Sequence, residues 1–184
     1  MREIRRYQQW QPETPVYDSA LLGQCQSRSQ LFVGPRPPMI TDCLTPRRHE
    51  ALFYIAQGET NAQVANLMGI STNTVKINFQ NILLALDAQS RVEASLKGVA
   101  IGALPLDQLV EPGEQMLMRE LKGKAVDILD LMIKDYGRRA HNQGLAQALC
   151  VSPDTVKNYT QGIMQRMDIH DRTRLAVIRY SLDH

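Results

Sequence analysis

Aromatic side chains are scarce in this chain, at 5% of 184 residues, with only three Phe and one Trp. β-Sandwich strands draw heavily on aromatic and β-branched residues, so that class is excluded. Long apolar runs are missing too, and nothing approaches the roughly 20 residues of a membrane-spanning helix. The opening residues, Met1-Arg2-Glu3-Ile4-Arg5-Arg6, are basic with no apolar stretch behind them, so a secretory signal peptide is not expected. Cys25, Cys43 and Cys150 are odd in number and widely spaced. They fit a reducing cytoplasm better than a disulfide frame, and without a Cys-x-x-Cys or Cys/His cluster no zinc site is expected. His49, His141, His170 and His184 are scattered and read as surface or core residues rather than metal ligands. Paired carboxylates, a Gly-rich phosphate loop and a nucleophile beside a base are all lacking. No enzyme, catalytic residue or cofactor is expected.

What is present suits a soluble chain that can bury a core: 43% of residues are apolar and 22% charged. The length fits one ordinary domain or two small ones. The net charge of +2 is uninformative, but its distribution is not. Residues 101–120 carry one basic and four acidic side chains, whereas 121–184 carry ten basic and seven acidic. An acidic stretch punctuated by Pro105, Pro112 and Gly113 therefore separates two units, the second more basic than the first.

An internal repeat decides the organisation. Residues 71–92 recur 81 positions later as 152–173, with eight identities: Ser71/Ser152, Thr74/Thr155, Val75/Val156, Lys76/Lys157, Gln80/Gln161, Ile82/Ile163, Asp87/Asp168 and Arg91/Arg172. Unrelated segments of ordinary composition would share about one or two. Upstream the register continues as Asn61/Asn142 and Ala65/Ala146. Further back Leu44, Glu50 and Leu52 match Leu121, Asp127 and Leu129 at an offset of 77, so the second copy holds four extra residues near Asp135–Arg139. The chain reads as a tandem duplication: an N-terminal segment 1–43, a first copy 44–100, an acidic linker 101–120 and a second copy 121–184.

Each copy reads as four short helices, giving an all-α fold of two tandem four-helix helix-turn-helix domains. Thr45-Pro46 opens the first helix, with proline at the first helical position where its missing N–H costs nothing. A second helix spans Asn61 to Met68, and Gly69 supplies the left-handed corner. Ser71 caps a third helix reaching about Leu86, and Ser90 caps a fourth from Arg91. Ser152-Pro153 and Asp171 cap the third and fourth helices of the second copy. The short turn between helices two and three has helix-turn-helix proportions.

This pattern resembles the LuxR/GerE-type helix-turn-helix of bacterial transcription regulators. The resemblance rests on Leu44-Thr-Pro-Arg, Glu50, Ile55-Ala-Gln-Gly, Asn61, Val64-Ala65, Leu67-Met-Gly-Ile-Ser, Thr74-Val-Lys, Ile82-Leu83, Leu86 and Ser90-Arg91. In the second copy it rests on Val151-Ser-Pro-Asp-Thr-Val-Lys-Asn-Tyr, Ile163-Met, Met167 and Asp171-Arg-Thr. The resemblance implies a transcription regulator of double-stranded DNA, with the third helix in the major groove and the fourth commonly dimerising. RNA polymerase, another transcription regulator, or a second chain through a fourth helix are the protein partners it suggests. No membrane partner is expected.

Helix geometry separates core from reading face. At 100° per residue, Ile82, Leu86 and Phe79 fall within about 40° of Val75. The opposite face of the first copy carries Asn73, Lys76, Ile77, Gln80 and Leu84; that of the second carries Asp154, Lys157, Asn158, Gln161 and Gln165, flanked by Arg166. Asn and Gln pair with adenine edges, and Lys serves guanine or phosphate. The candidate DNA contacts are therefore Lys157, Asn158, Gln161, Gln165, Arg166 and Thr155, with Lys76, Gln80 and Asn73 from the first copy. The second copy is expected to be the stronger reader, because Ile77 and Leu84 put apolar groups where polar ones belong. With Phe79 and Leu83 they are expected to form a protein interface, covered by the N-terminal segment, a second chain or another regulator. On that alternative the protein is an interaction module, an anti-activator or co-regulator. Contact with thymine methyls is the remaining reading of the same face. Arg91 and Arg172 are expected to tie the fourth helix to the third.

Residues 1–43 hold five of the nine prolines and few periodic apolar positions, and partial order is expected of them. They are too short for a receiver or a lactone-pocket domain, so a built-in sensor is not expected.

Overall fold

The computed structural model describes residues 44–134 and 141–183, and among these every regular element is helical. Helices α1 (Pro46–Ala56), α2 (Asn61–Met68), α3 (Thr72–Ala85) and α4 (Arg91–Ala100) make the first copy. Helices α7 (Lys124–Ile133), α8 (Asn142–Leu149), α9 (Pro153–Arg166) and α10 (Arg172–Tyr180) make the second. The N-terminal segment 1–43 and the expected insertion at Asp135–Arg139 lie outside the described residues. No helix among them is long and apolar enough to cross a membrane.

Within each copy the first helix packs on the other three, the second on the third, and the third on the fourth. Val75, Ile82 and Leu86 of the first copy, and Val156, Ile163 and Met167 of the second, are all buried, so the core stripe lies where helical periodicity put it. The caps also match. Ser71 Oγ accepts from the Thr74 N–H at 3.0 Å, Ser90 Oγ from Glu93 at 3.1 Å, and Ser152 Oγ from Thr155 at 3.1 Å. Asp171 accepts from the Thr173 N–H at 2.6 Å. Thr45 stands at the N-cap of α1 but makes no side-chain capping bond; Pro46 has already removed one orphan donor there. Sequence reading passed over the capping box of α2, where Thr60 and Gln63 satisfy each other's backbone N–H groups, although Thr-x-x-Gln is its signature.

Both helix-turn-helix corners use a left-handed residue. Gly69 sits at φ +64° and is followed by an Ile70 N–H to Ala65 carbonyl bond of 3.0 Å. Cys150 holds the same place at φ +53°, and Val151 donates to Ala146 at 3.0 Å. The third helices finish alike as well, with Asp87 and Asp168 at φ +48° and +52°. Aspartate tolerates this region because its short polar side chain bonds locally.

The acidic stretch 101–120 is more than a spacer. It forms two short helices, α5 (Leu106–Leu109) and α6 (Pro112–Arg119), and α6 packs on α10. Arg174 of α10 binds the Glu114 carboxylate of α6 and the Leu109 carbonyl at the end of α5. Gln115 donates to Ser181 Oγ at 3.0 Å. The acidic residues thus hold the linker against a basic position of the second copy.

The two copies meet through their fourth helices. α4 packs on α10, and α1 also touches α10. No residue of α4 or α10 is exposed, and Val92 through Gly98 are buried without a break. A helix buried all round has partners on more than one side. Gly58, at φ +89°, marks the seam: a Cβ there would lie 3.0 Å from Arg174 Cβ and 3.1 Å from Asp171 Cβ. The apolar residues of both copies join one continuous core.

Candidate nucleic-acid interface

α3 and α9 are each 14 residues long, start from a serine cap and present one face to solvent. On α9, Lys157, Asn158, Gln161, Gln165 and Arg166 are all exposed. On α3, Asn73, Lys76 and Gln80 are exposed on the corresponding face. Geometry therefore brings eight of the nine candidate contacts onto two open helical faces. Thr155 differs: its side chain is half-buried and shares a 2.8 Å hydrogen bond with Ser152 Oγ inside the cap. Its hydroxyl shapes the helix start before it can meet a ligand. Asp154 is exposed in the first turn of α9, where a carboxylate complements the positive end of the helix.

The apolar residues of α3 divide. Ile77 is 50% and Leu84 74% exposed, and nothing among the described residues covers them. Phe79 and Leu83 are half-buried against the core, and the Arg91 guanidinium lies 5.8 Å from the Phe79 ring centroid. The open apolar surface is thus Ile77 and Leu84 alone, narrower than the four residues expected from sequence. Formal charge does not separate the helices. α3 carries Lys76 alone, and α9 sets Lys157 and Arg166 against Asp154. What separates them is hydrogen-bonding capacity: Asn158 and Gln165 stand where Ile77 and Leu84 stand.

Two arginines fix the arrangement behind these faces. Arg91 donates to the Glu59 carbonyl at 2.8 Å, just before α2. Arg172 donates to the Asn142 side chain at the start of α8, and burial pushes its pKa below the ordinary arginine value. The sequence expectation tied these residues to the third helix. Both anchor the fourth helix to the entrance of the second, and Arg91 also reaches α3 through Phe79. In the first copy Lys97 ties the fourth helix to the end of the third. Its Nζ donates to the Leu86 and Asp87 carbonyls at 3.3 and 2.8 Å and pairs with Glu93 at 3.0 Å. A cation at a helix C-terminus complements the negative end of its dipole. Sequence reading missed this pair, although Glu and Lys four residues apart was its signal. Among the described residues no group of three or more His, Cys, Asp or Glu side chains is placed to hold a metal.

The family described as "Bacterial regulatory proteins, luxR family" matches twice, over residues 42–97 and 126–179. The transcriptional activator protein SolR of Ralstonia nicotianae is 34% identical over 67 residues, covering 36% of this chain and 28% of SolR. The transcriptional activator protein AnoR of Acinetobacter nosocomialis is 33% identical over 61 residues, covering 33% of this chain and 26% of AnoR. The nitrate/nitrite response regulator protein NarP of Escherichia coli is 42% identical over 53 residues, 29% of this chain and 25% of NarP. The chain thus spans about a quarter of the length of these relatives. No solved structure gives a significant match.

Proposed function

Because the chain belongs to the LuxR family of bacterial regulatory proteins, we propose that it is a DNA-binding transcription regulator that works as an intramolecular dimer. α3 and α9 enter the major groove, and α9 is the stronger reader. The observation that carries this reading is the open polar face of α9, where Lys157, Asn158, Gln161 and Gln165 stand together with no described residue over them. Asn and Gln at such positions read adenine edges, and lysine neutralises phosphate. The pairing of α4 with α10 supports a single chain as the binding unit, since neither fourth helix keeps an exposed residue for a second chain. The site is then asymmetric, with two different half-sites. Selection of binding sequences from a random duplex pool, followed by anisotropy titration at several salt concentrations, tests it. A regulator enriches one sequence and loses affinity steeply with salt. A chain that retains no duplex above background is not one.

A second reading is favoured by a specific observation, the exposure of Ile77 and Leu84. On that reading the first copy grips another transcription regulator or RNA polymerase, and the protein acts as an anti-activator or co-regulator. Co-purification with a protein partner in the absence of any DNA affinity supports it over the first. The cytoplasm is the compartment in which either reading operates.

A further inference from the structure

Beside the outward face of α9 lies a solvent-open cleft of about 410 Å³, lined among others by Leu121 and Ala125 of the second copy's entrance and by Ile163. Its volume falls in the range of small-molecule sites, and its walls are apolar with few polar groups, as such sites are. Gly162 lines it. A Cβ on Gly162 would meet nothing within 4 Å, and its φ is not positive, so neither packing nor backbone geometry calls for glycine there. Glycine is the weakest helix former after proline, and without a side chain it leaves the backbone open to close approach by a ligand.

We propose that this cleft is a binding site for a small aromatic carboxylate, and that its occupant and DNA exclude one another. The ring lies against the α9 backbone at Gly162, flanked by Tyr159, which is 40% exposed at the rim. The carboxylate goes to Arg166, whose planar fork suits bidentate pairing. Arg166 also meets Glu120 at 3.4 Å, with side chains 57% and 55% exposed. A pair that open to water is weak, and the guanidinium keeps donors for a second carboxylate. Asn158, also in the lining, offers a hydrogen-bonding amide. Three of these positions are particular to the second copy, since the first has Asn78, Asn81 and Ala85 where the second has Tyr159, Gly162 and Arg166. Asn158 and Arg166 are also candidate base and phosphate contacts, so a ligand that covers them competes with DNA. That half of the proposal rests on the DNA-binding reading; occupancy of the cleft does not.

The test uses the full chain with naphthalene-2-carboxylate as probe and its uncharged carboxamide as control, followed by isothermal titration and by amide chemical shifts. The expected result is saturable carboxylate binding with shifts centred on Gly162, and carboxamide binding at least tenfold weaker. Gly162→Leu fills the cleft while favouring the helix, so it folds, and it should reduce probe binding at least tenfold. Arg166→Gln should remove the preference for carboxylate over carboxamide. Saturating probe should weaken DNA binding of the parent chain about tenfold and leave that of Gly162→Leu unchanged. Equal binding of the two probes, or binding untouched by Gly162→Leu, overturns the site. Probe binding lost in Gly162→Leu by a chain that binds no duplex upholds the site and overturns the exclusion.

Discussion

The two third helices share length, serine cap and left-handed exit, yet they offer solvent different chemistry. α3 presents Ile77 and Leu84 where α9 presents Asn158 and Gln165. The buried positions Val75/Val156 and Ile82/Ile163 are identical, while the outward faces differ. The copies also differ behind these helices. Glu93 and Arg174 occupy equivalent positions, as do Lys97 and Ile178. Copy one satisfies its pair internally, whereas copy two uses Arg174 to receive the acidic linker. The linker is therefore fastened to the second copy.

The largest break in this comparison should come from Lys97. Its pair with Glu93 is nearly dry, the side chains being 7% and 1% exposed. Lys97→Met removes the cation beside a buried carboxylate and should destabilise the chain by about 3–5 kcal/mol. Glu93→Gln with Lys97→Met should recover much of that loss in urea unfolding, because the buried negative charge is gone. At Ile178, the equivalent position in copy two, Ile178→Val should cost only about 0.5–1.5 kcal/mol.

Next in size are the readers. Asn158→Ala or Gln161→Ala should cost about 1–3 kcal/mol on the selected duplex and relax preference at one base pair. Gln80→Ala in copy one should cost less on the same duplex. Lys157→Ala should weaken all duplexes and reduce the salt slope by about 0.9 if it neutralises one phosphate. An unchanged slope removes Lys157 from the phosphate contacts.

Cys150 sharpens the comparison in the other direction. It holds a left-handed corner that copy one gives to Gly69. Cys150→Gly should stabilise the second copy by about 1 kcal/mol, seen as a raised thermal midpoint. The smallest effect on stability, within about 0.5 kcal/mol, should follow Ile77→Asn with Leu84→Gln, since both side chains are exposed. Loss of a protein partner in that double variant would favour the interaction reading. Loss of sequence preference without loss of partner would favour thymine-methyl contact by the same face.

Much of this was legible in the sequence because it is written in local signals. The repeat, the serine caps, Gly69 and the Val75–Ile82–Leu86 stripe depend on neighbours a few residues apart. The exposed face of α9 followed from the same periodicity. The pairing of α4 with α10 was not legible. Glu93, Ser95 and Lys97 interrupt the apolar pattern of α4, which hides the burial of Val92 through Gly98. The linker helices hid behind Pro105, Pro112 and Gly113, which read as loop punctuation although Pro112 stands at the first position of α6. The anchors of Arg91 and Arg172 span about 30 residues, beyond any local rule.

The central claim is that one chain, through both copies, occupies one bipartite DNA site. Mass measurement of the complex on the selected duplex, joined with a hydroxyl-radical footprint, tests it most directly. The account predicts one chain per duplex, with two protected half-sites about 34–36 Å apart or a multiple of one helical turn, and the α9 half-site more strongly protected. Two chains per duplex, each protecting a single half-site, would contradict it.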